Sequence, residues 1–159
     1  MRVDYINPFV EAAFSVVEEV LSTKVERGKI YLKGETQAIM GLATIVGLAG
    51  GVEGRVILDM DIPTALKIAS IMNGEELNEV DDLVKATLTE LANVVTGVAV
   101  TELHEKGFRF DLTPPAVITG ENMKVHDIGI EALVVPMTLP FGEIEVNVAI
   151  KEREVSSDG

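Results

Sequence analysis

Near the start of the chain apolar residues recur at helical spacing: Ile6, Phe9, Val10, Ala13, Phe14, Val17 and Val20, with Glu11, Glu18 and Glu19 on the opposite side. This predicts an amphipathic helix capped by Asp4 or Asn7, with Pro8 in its first turn. After Gly28 the spacing turns β-like. A short strand is predicted over 29–33, then strands over 38–48 and 54–60 joined by a turn at Gly50-Gly51. A second helix follows over 62–72, capped by Asp61, with Pro63 in its first turn and Asn73-Gly74 as its stop. The longest periodic stretch runs over 79–106 and ends at Gly107, a helix ~42 Å long at 1.5 Å per residue. Val84, Leu88, Leu91, Val95, Ala99 and Leu103 form its apolar stripe, so that side faces a sheet. Beyond a loop over 108–113, Pro114-Pro115 opens an extended segment, and strands are predicted over 128–138 and 143–151. In the last strand Ile144, Val146, Val148 and Ile150 alternate with Glu145, Asn147, Ala149 and Lys151, as on a half-buried sheet.

This order of elements predicts an α/β fold (α+β in some schemes). It is a two-layer arrangement in which helices pack on a mostly antiparallel sheet. A helical region followed by a hairpin occurs twice, which raises an internal repeat as a hypothesis. The 159 residues suit one domain, placed over 1–151, with a frayed polar tail over 152–159. A hydrophobic fraction of 47% excludes a disordered chain, and the apolar stretches read as too interrupted for a bilayer-spanning helix. There is no Cys, hence no disulfide or thiolate zinc site, and no leader-like start, so the expected location is cytoplasmic. The net charge of -13 argues against nucleic-acid or anionic-membrane partners, and solubility is its plain explanation.

Within the long helix Glu90, Asn93 and Gly97 follow one another at steps of three and four, which places them on one face. Because Leu88, Leu91 and Val95 take the core stripe, Glu90 and Asn93 should look outward, with no task in the fold. Glycine in a helix costs about 1 kcal/mol relative to alanine, so Gly97 suggests close approach of another backbone, from a partner or from this fold. A carboxylate and a carboxamide one turn apart can act on a phosphoryl group held by another protein. The amide orients water for in-line attack and the carboxylate pairs with a cation. Glu75 and Asn78 repeat the E-x-x-N spacing in a predicted loop or helix start, so spacing alone leaves chance open and position carries the information.

Other signals lead elsewhere. Gly47 to Gly54 lacks the Gly-Lys-Ser/Thr of a phosphate loop and reads as a hairpin turn. His104 and His126 are isolated surface residues without zinc-helix spacing, so no metal site is expected. Ser15, Ser22 and Ser70 lack a nucleophile context, and Met72 and Met123 read as core or loop residues.

The stretch Glu90-Leu-Ala-Asn93-Val-Val-Thr-Gly97, with Thr113-Pro114-Pro115 at the matching distance, resembles the signature of the CheC/CheX/FliY phosphatases. The resemblance extends to Val46-Gly47-Leu48-Ala49-Gly50-Gly51-Val52-Glu53-Gly54 and to Ile62-Pro63-Thr64-Ala65-Leu66-Lys67. It implies a CheC-like fold and hydrolysis of the aspartyl phosphate of a phosphorylated CheY-like response regulator in chemotaxis. On this resemblance Asn93 positions the water and Glu90 engages the regulator's lysine. Magnesium belongs to the regulator, and the chain needs no cofactor of its own. Ala86 stands where the signature often carries Asp or Ser, so a helper contact is expected to be missing; Ala86 and Gly97 belong to the partner-facing surface. Only one helix is expected to carry the pair, since 62–72 contains no Glu, which is closer to CheX than to the usually two-site CheC. The resemblance also implies a homodimer, for which the strand over 143–151 is expected to serve as an open edge. The alternative is a non-catalytic dimeric adaptor that uses the same helix face only to bind a regulator.

Overall fold

A computed structural model describes residues 3–34, 36–126 and 129–153. Its helices are α1 (Val3–Leu21), α2 (Ile62–Asn73) and α3 (Asp82–Glu105). Asp61 caps α2 by accepting from the Thr64 N–H at 2.9 Å, and Gly74, at φ 66°, closes it. Asp81 does the same for α3, accepting from the Val84 N–H at 3.0 Å. That cap starts α3 at Asp82, three residues later than the pattern predicts. Helix α1 already contains Asp4 and Asn7, so neither caps it. Residues 154–159 of the expected tail lie outside the described residues; Glu152 itself ends a strand and accepts from the Tyr5 hydroxyl at 3.1 Å.

The strands are β1 (Glu26–Arg27), β2 (Tyr31–Lys33), β3 (Thr36–Ala38), β4 (Leu42–Gly50), β5 (Val52–Met60), β6 (Phe110–Leu112), β7 (Ala116–Thr119), β8 (Lys124–His126), β9 (Ala132–Leu139) and β10 (Gly142–Glu152). Among the described residues they form an antiparallel eight-stranded sheet in the order β1-β9-β10-β5-β4-β6, with β2 also on β9 and β7 also on β4. Strands β3 and β8 make a separate pair. The predicted strand over 38–48 is thus two strands, broken where the Met40 N–H turns aside to the Asp59 carboxylate and Gly41 takes φ 154°. The segment read as a loop over 108–113 contains β6. The strand expected from 128 begins at Ala132, and 127–128 lie outside the described residues.

The pairing is symmetric. Exchanging β1 to β5 with β6 to β10, in order, maps every pair onto another pair or onto itself, and the same exchange relates α1 to α3. The repeat hypothesised from the element order is therefore present in the topology, with α2 as an extra element between the halves. At the centre of the symmetry β5 and β10 run side by side through nine register pairs, Ile144↔Met60 to Glu152↔Val52. Strand β10 has neighbours on both sides, β5 and β9, and is not an open edge. The expectation of dimerisation through it fails, because alternation reports which faces are buried and not which strands lie alongside. Gly54 lies at this central pairing with φ +153°, and a Cβ there would stand 1.9 Å from the Ala149 carbonyl oxygen, so a side chain is excluded.

The helices cover one face of the sheet. Ile6, Phe9 and Val17 of α1 and Leu88, Leu91 and Leu103 of α3 meet Leu42, Met60, Met137 and Ile144, each at most 2% exposed. The other face is partly covered, where the half-buried reading of the last strand expects solvent. There β3 and β8 lay a partial third layer over Ile39, Ala43 and Ile57, and Asn147 and Ala149 of β10 are buried as well. The 24-residue α3 is, by length and composition, long and apolar enough to cross a membrane, contrary to the sequence expectation. Half of its apolar window is buried against the rest of the fold, which is how a core helix satisfies the same test.

Asp59 sits on this second face at 2% exposure, opposite Glu145 in register, with Lys33 3.1 Å from Glu145 and Tyr31 donating to it. Burial pushes its carboxyl up to about 6; Glu145 adds to the rise, while the Met40 N–H and Lys33 oppose it. The native carboxyl therefore holds a proton between about pH 4 and 6 that the unfolded chain has released, so stability falls as pH rises through that window. Asp59→Asn keeps the acceptor for Met40 and is expected to flatten this slope, raising stability at pH 7.5 by about 2 kcal/mol. Urea unfolding of both proteins at pH 4.5 and 7.5 checks it; a parallel pH dependence in the variant contradicts it.

Candidate active site

Helix α3 buries Val84, Leu88, Leu91, Ala92, Val95 and Ala99 and turns Ala86, Glu90 and Asn93 to solvent, with Gly97 half-buried on the same side. The outward orientation expected of the Glu90/Asn93 pair is what the fold produces. Neither side chain makes a hydrogen bond or ion pair among the described residues, on a helix whose other polar side chains are mostly spent. Thr87, Thr89, Thr96 and Thr101 each donate at 2.8 Å to the carbonyl four residues back. With those protons engaged, the face offers no free hydroxyl nucleophile beside the pair. Leu83, Val94 and Val98 of the same helix are 42%, 37% and 46% exposed, so exposed apolar side chains accompany the polar pair.

Gly97 resolves one alternative. A Cβ placed there meets nothing among the described residues within 4 Å, so no backbone among them requires the glycine. Its cost in the helix is left without an internal reason, and the outer approach remains. Glu75 and Asn78, the control pair, lie exposed in the loop between α2 and α3, where their spacing has no helical face to share. The single-pair expectation rests on the lack of Glu in 62–72, which is α2, whereas the helix related to α3 by the fold's symmetry is α1. Its Glu11, Glu18 and Glu19 are followed three residues on by Phe14, Leu21 and Ser22, so α3 alone carries an E-x-x-N pair.

Thr113 of the motif does structural work away from Glu90. Its N–H donates to the Gly47 carbonyl at 3.0 Å and its hydroxyl accepts from the Gly47 N–H at 2.8 Å, tying the segment after β6 to β4. Gly47 to Gly54 is the β4–β5 hairpin, as read. His104 and His126 are exposed and engaged with Phe110 and Thr36. Among the described residues no three His, Asp or Glu side chains gather where a metal ion could be held. The residue the sequence reading missed is Asn73, taken only as a helix stop. It reaches from α2 to Thr87 and lines a cleft with Met72, Ala86, Thr87 and Glu90. An Asn before a terminal Gly is ordinary helix punctuation, so nothing in the sequence set it apart.

A family model for the chemotaxis phosphatase CheX matches residues 42–138, which include the β4–β5 hairpin and all of α2 and α3. The CheY-P phosphatase CheX of Thermotoga maritima is 30% identical over 126 residues, 79% of this chain and 81% of that protein. A chain of the CheX-CheY-BeF3-Mg+2 complex from Borrelia burgdorferi is 53% identical with a TM-score of 0.84, covering 95% of this chain and all of that one. A CheC-like protein from Shewanella sp. PV-4 is 27% identical with a TM-score of 0.86, covering 95% and 99%.

Proposed function

The chain belongs to the CheX family of chemotaxis phosphatases, and on that premise we propose that it hydrolyses the aspartyl phosphate of a phosphorylated CheY-like response regulator. The observation that carries this reading is the unpartnered Glu90/Asn93 pair on the solvent face of α3, one turn before a glycine the fold does not need. The solved complex of a 53% identical relative with CheY supports the class of partner.

The face inserts Asn93 beside the phosphoryl group. Its amide oxygen accepts a hydrogen bond from a water aligned with the P–O bond to be broken, and its NH2 donates to a phosphoryl oxygen. Water attacks phosphorus, the P–O bond to the regulator's aspartate breaks, and the products are the free carboxylate and inorganic phosphate. Glu90 pairs with the lysine of the regulator's site and fixes the register of docking. Magnesium, held by the regulator, offsets the phosphoryl charge; this chain contributes no ligand to it. Ala86 and Gly97 keep the face low enough for the approach. The working unit is one domain over 1–151, acting in the cytoplasm as a homodimer whose contact must lie elsewhere than β10.

Release of inorganic phosphate from a molar excess of phosphorylated receiver tests the activity. Several turnovers per protein are expected, and binding without release would leave the adaptor reading instead. Gly97→Leu separates partner approach from folding. The side chain enters open space and improves helix propensity by about 0.8 kcal/mol, so unfolding should be unchanged or shifted to higher temperature. Phosphate release should nevertheless fall about tenfold. A variant with full activity would show that the glycine does not serve docking.

A further inference from the structure

Asn73 is exposed at the C-terminal end of α2, yet its amide is held in one orientation. Nδ2 donates to the Ala69 carbonyl and to the Thr87 hydroxyl, both at 2.8 Å. The Thr87 hydroxyl gives its own proton to the Leu83 carbonyl at 2.8 Å. Both partners of Nδ2 are therefore acceptors, which assigns the NH2 to the protein side and leaves Oδ1 as a pre-set acceptor. Among the described residues Oδ1 has no partner. It belongs to a side chain lining the same cleft as Glu90, whose carboxylate is also unpaired, with the small Ala86 between α2 and the next turn of α3. Among the described residues no basic side chain lines this cleft, and the negative end of the α2 dipole lies beside it. One carboxylate and one oriented amide oxygen around a small opening suit an ammonium, a compact charge with three donors.

We infer that Asn73 and Glu90 together form the seat for a lysine ammonium of the docked receiver, Asn73 Oδ1 accepting one proton while Glu90 supplies the countercharge. Ala86 leaves the opening through which the lysine enters, so a residue read as a missing contact on α3 is offset by an acceptor from α2. The inference rests on the reading of Glu90 as the lysine contact and adds a specificity-determining residue from a second helix.

Affinity for a CheY-like receiver activated with beryllium fluoride and magnesium tests it, with the receiver's active-site lysine present or replaced by alanine. Asn73→Ala is expected to weaken binding about tenfold for the lysine-bearing receiver and less than twofold for the other, the loss of one charge-assisted hydrogen bond. Equal losses with both receivers would mean that Asn73 only joins α2 to α3 and would overturn the inference. Ala86→Leu fills the cleft while sparing both Asn73 bonds, and should give the same lysine-dependent loss even if Asn73→Ala folds poorly. Wild-type affinity in that variant also overturns the inference. Binding by the wild type without phosphate release defeats the phosphatase reading and leaves the lysine seat standing; no binding at all defeats both.

Discussion

Replacing Asn93 by alanine is expected to lower the turnover of phosphorylated receiver about 100-fold, while the affinity for the activated receiver stays within about threefold. The split follows from where the side chain acts. Its amide is exposed and makes no hydrogen bond among the described residues, so its removal costs little stability and opens no core cavity. In the docked complex that we propose, the same amide orients the attacking water and contacts a phosphoryl oxygen. Loss of a group that acts chiefly in the transition state appears in kcat, and about two orders of magnitude corresponds to ~2.7 kcal/mol of barrier. Single-turnover rates at saturating protein, set beside binding constants, measure the two quantities separately. A loss of affinity as large as the loss of rate would make Asn93 a docking residue.

Glu90→Ala should behave differently, weakening binding about 30-fold and lowering phosphate release at subsaturating receiver by a similar factor. The carboxylate is exposed in the free protein and makes no ion pair among the described residues, so the substitution breaks nothing internal. In the proposed complex the pair it would form with an ammonium loses solvent, with the exposed Leu83, Val94 and Val98 on the same helix, and truncating one partner of such a pair costs roughly 2 kcal/mol or more. Glu90→Gln retains the acceptor without the charge and should lie between the two. Raising the salt concentration should weaken wild-type binding more than binding by Glu90→Ala. Equal salt dependence of the two proteins would remove Glu90 from the interface.

The helices and the pair on α3 were legible because helical period and caps are local. Asp61 and Asp81 each accept from the N–H three residues on, and the stripe from Val84 to Leu103 is the buried one. The sheet was less legible. Alternation in β10 marks Ile144, Val146 and Val148 as buried, but it does not reveal that β5 and β9 flank the strand or that Asn147 and Ala149 on its other face are buried too. Those facts depend on pairings between residues up to a hundred positions apart, which no local pattern encodes. The break at Met40 and Gly41 was hidden for the same reason, since the group that bends the chain, Asp59, lies on another strand. Asn73 was invisible as a site residue because its partner Thr87 is on the next helix, and only the packing of α2 against α3 brings it to Glu90.

On the function proposed, this helix face removes the phosphoryl group from a receiver. The most direct test is the decay of a phosphorylated CheY-like receiver with magnesium present, measured alone, with the wild-type protein and with Asn93→Ala at matched concentrations. The account predicts rapid decay with the wild type and decay close to the receiver's own rate with the variant. Decay unchanged by the wild type across several receivers, or accelerated equally by both proteins, would contradict it.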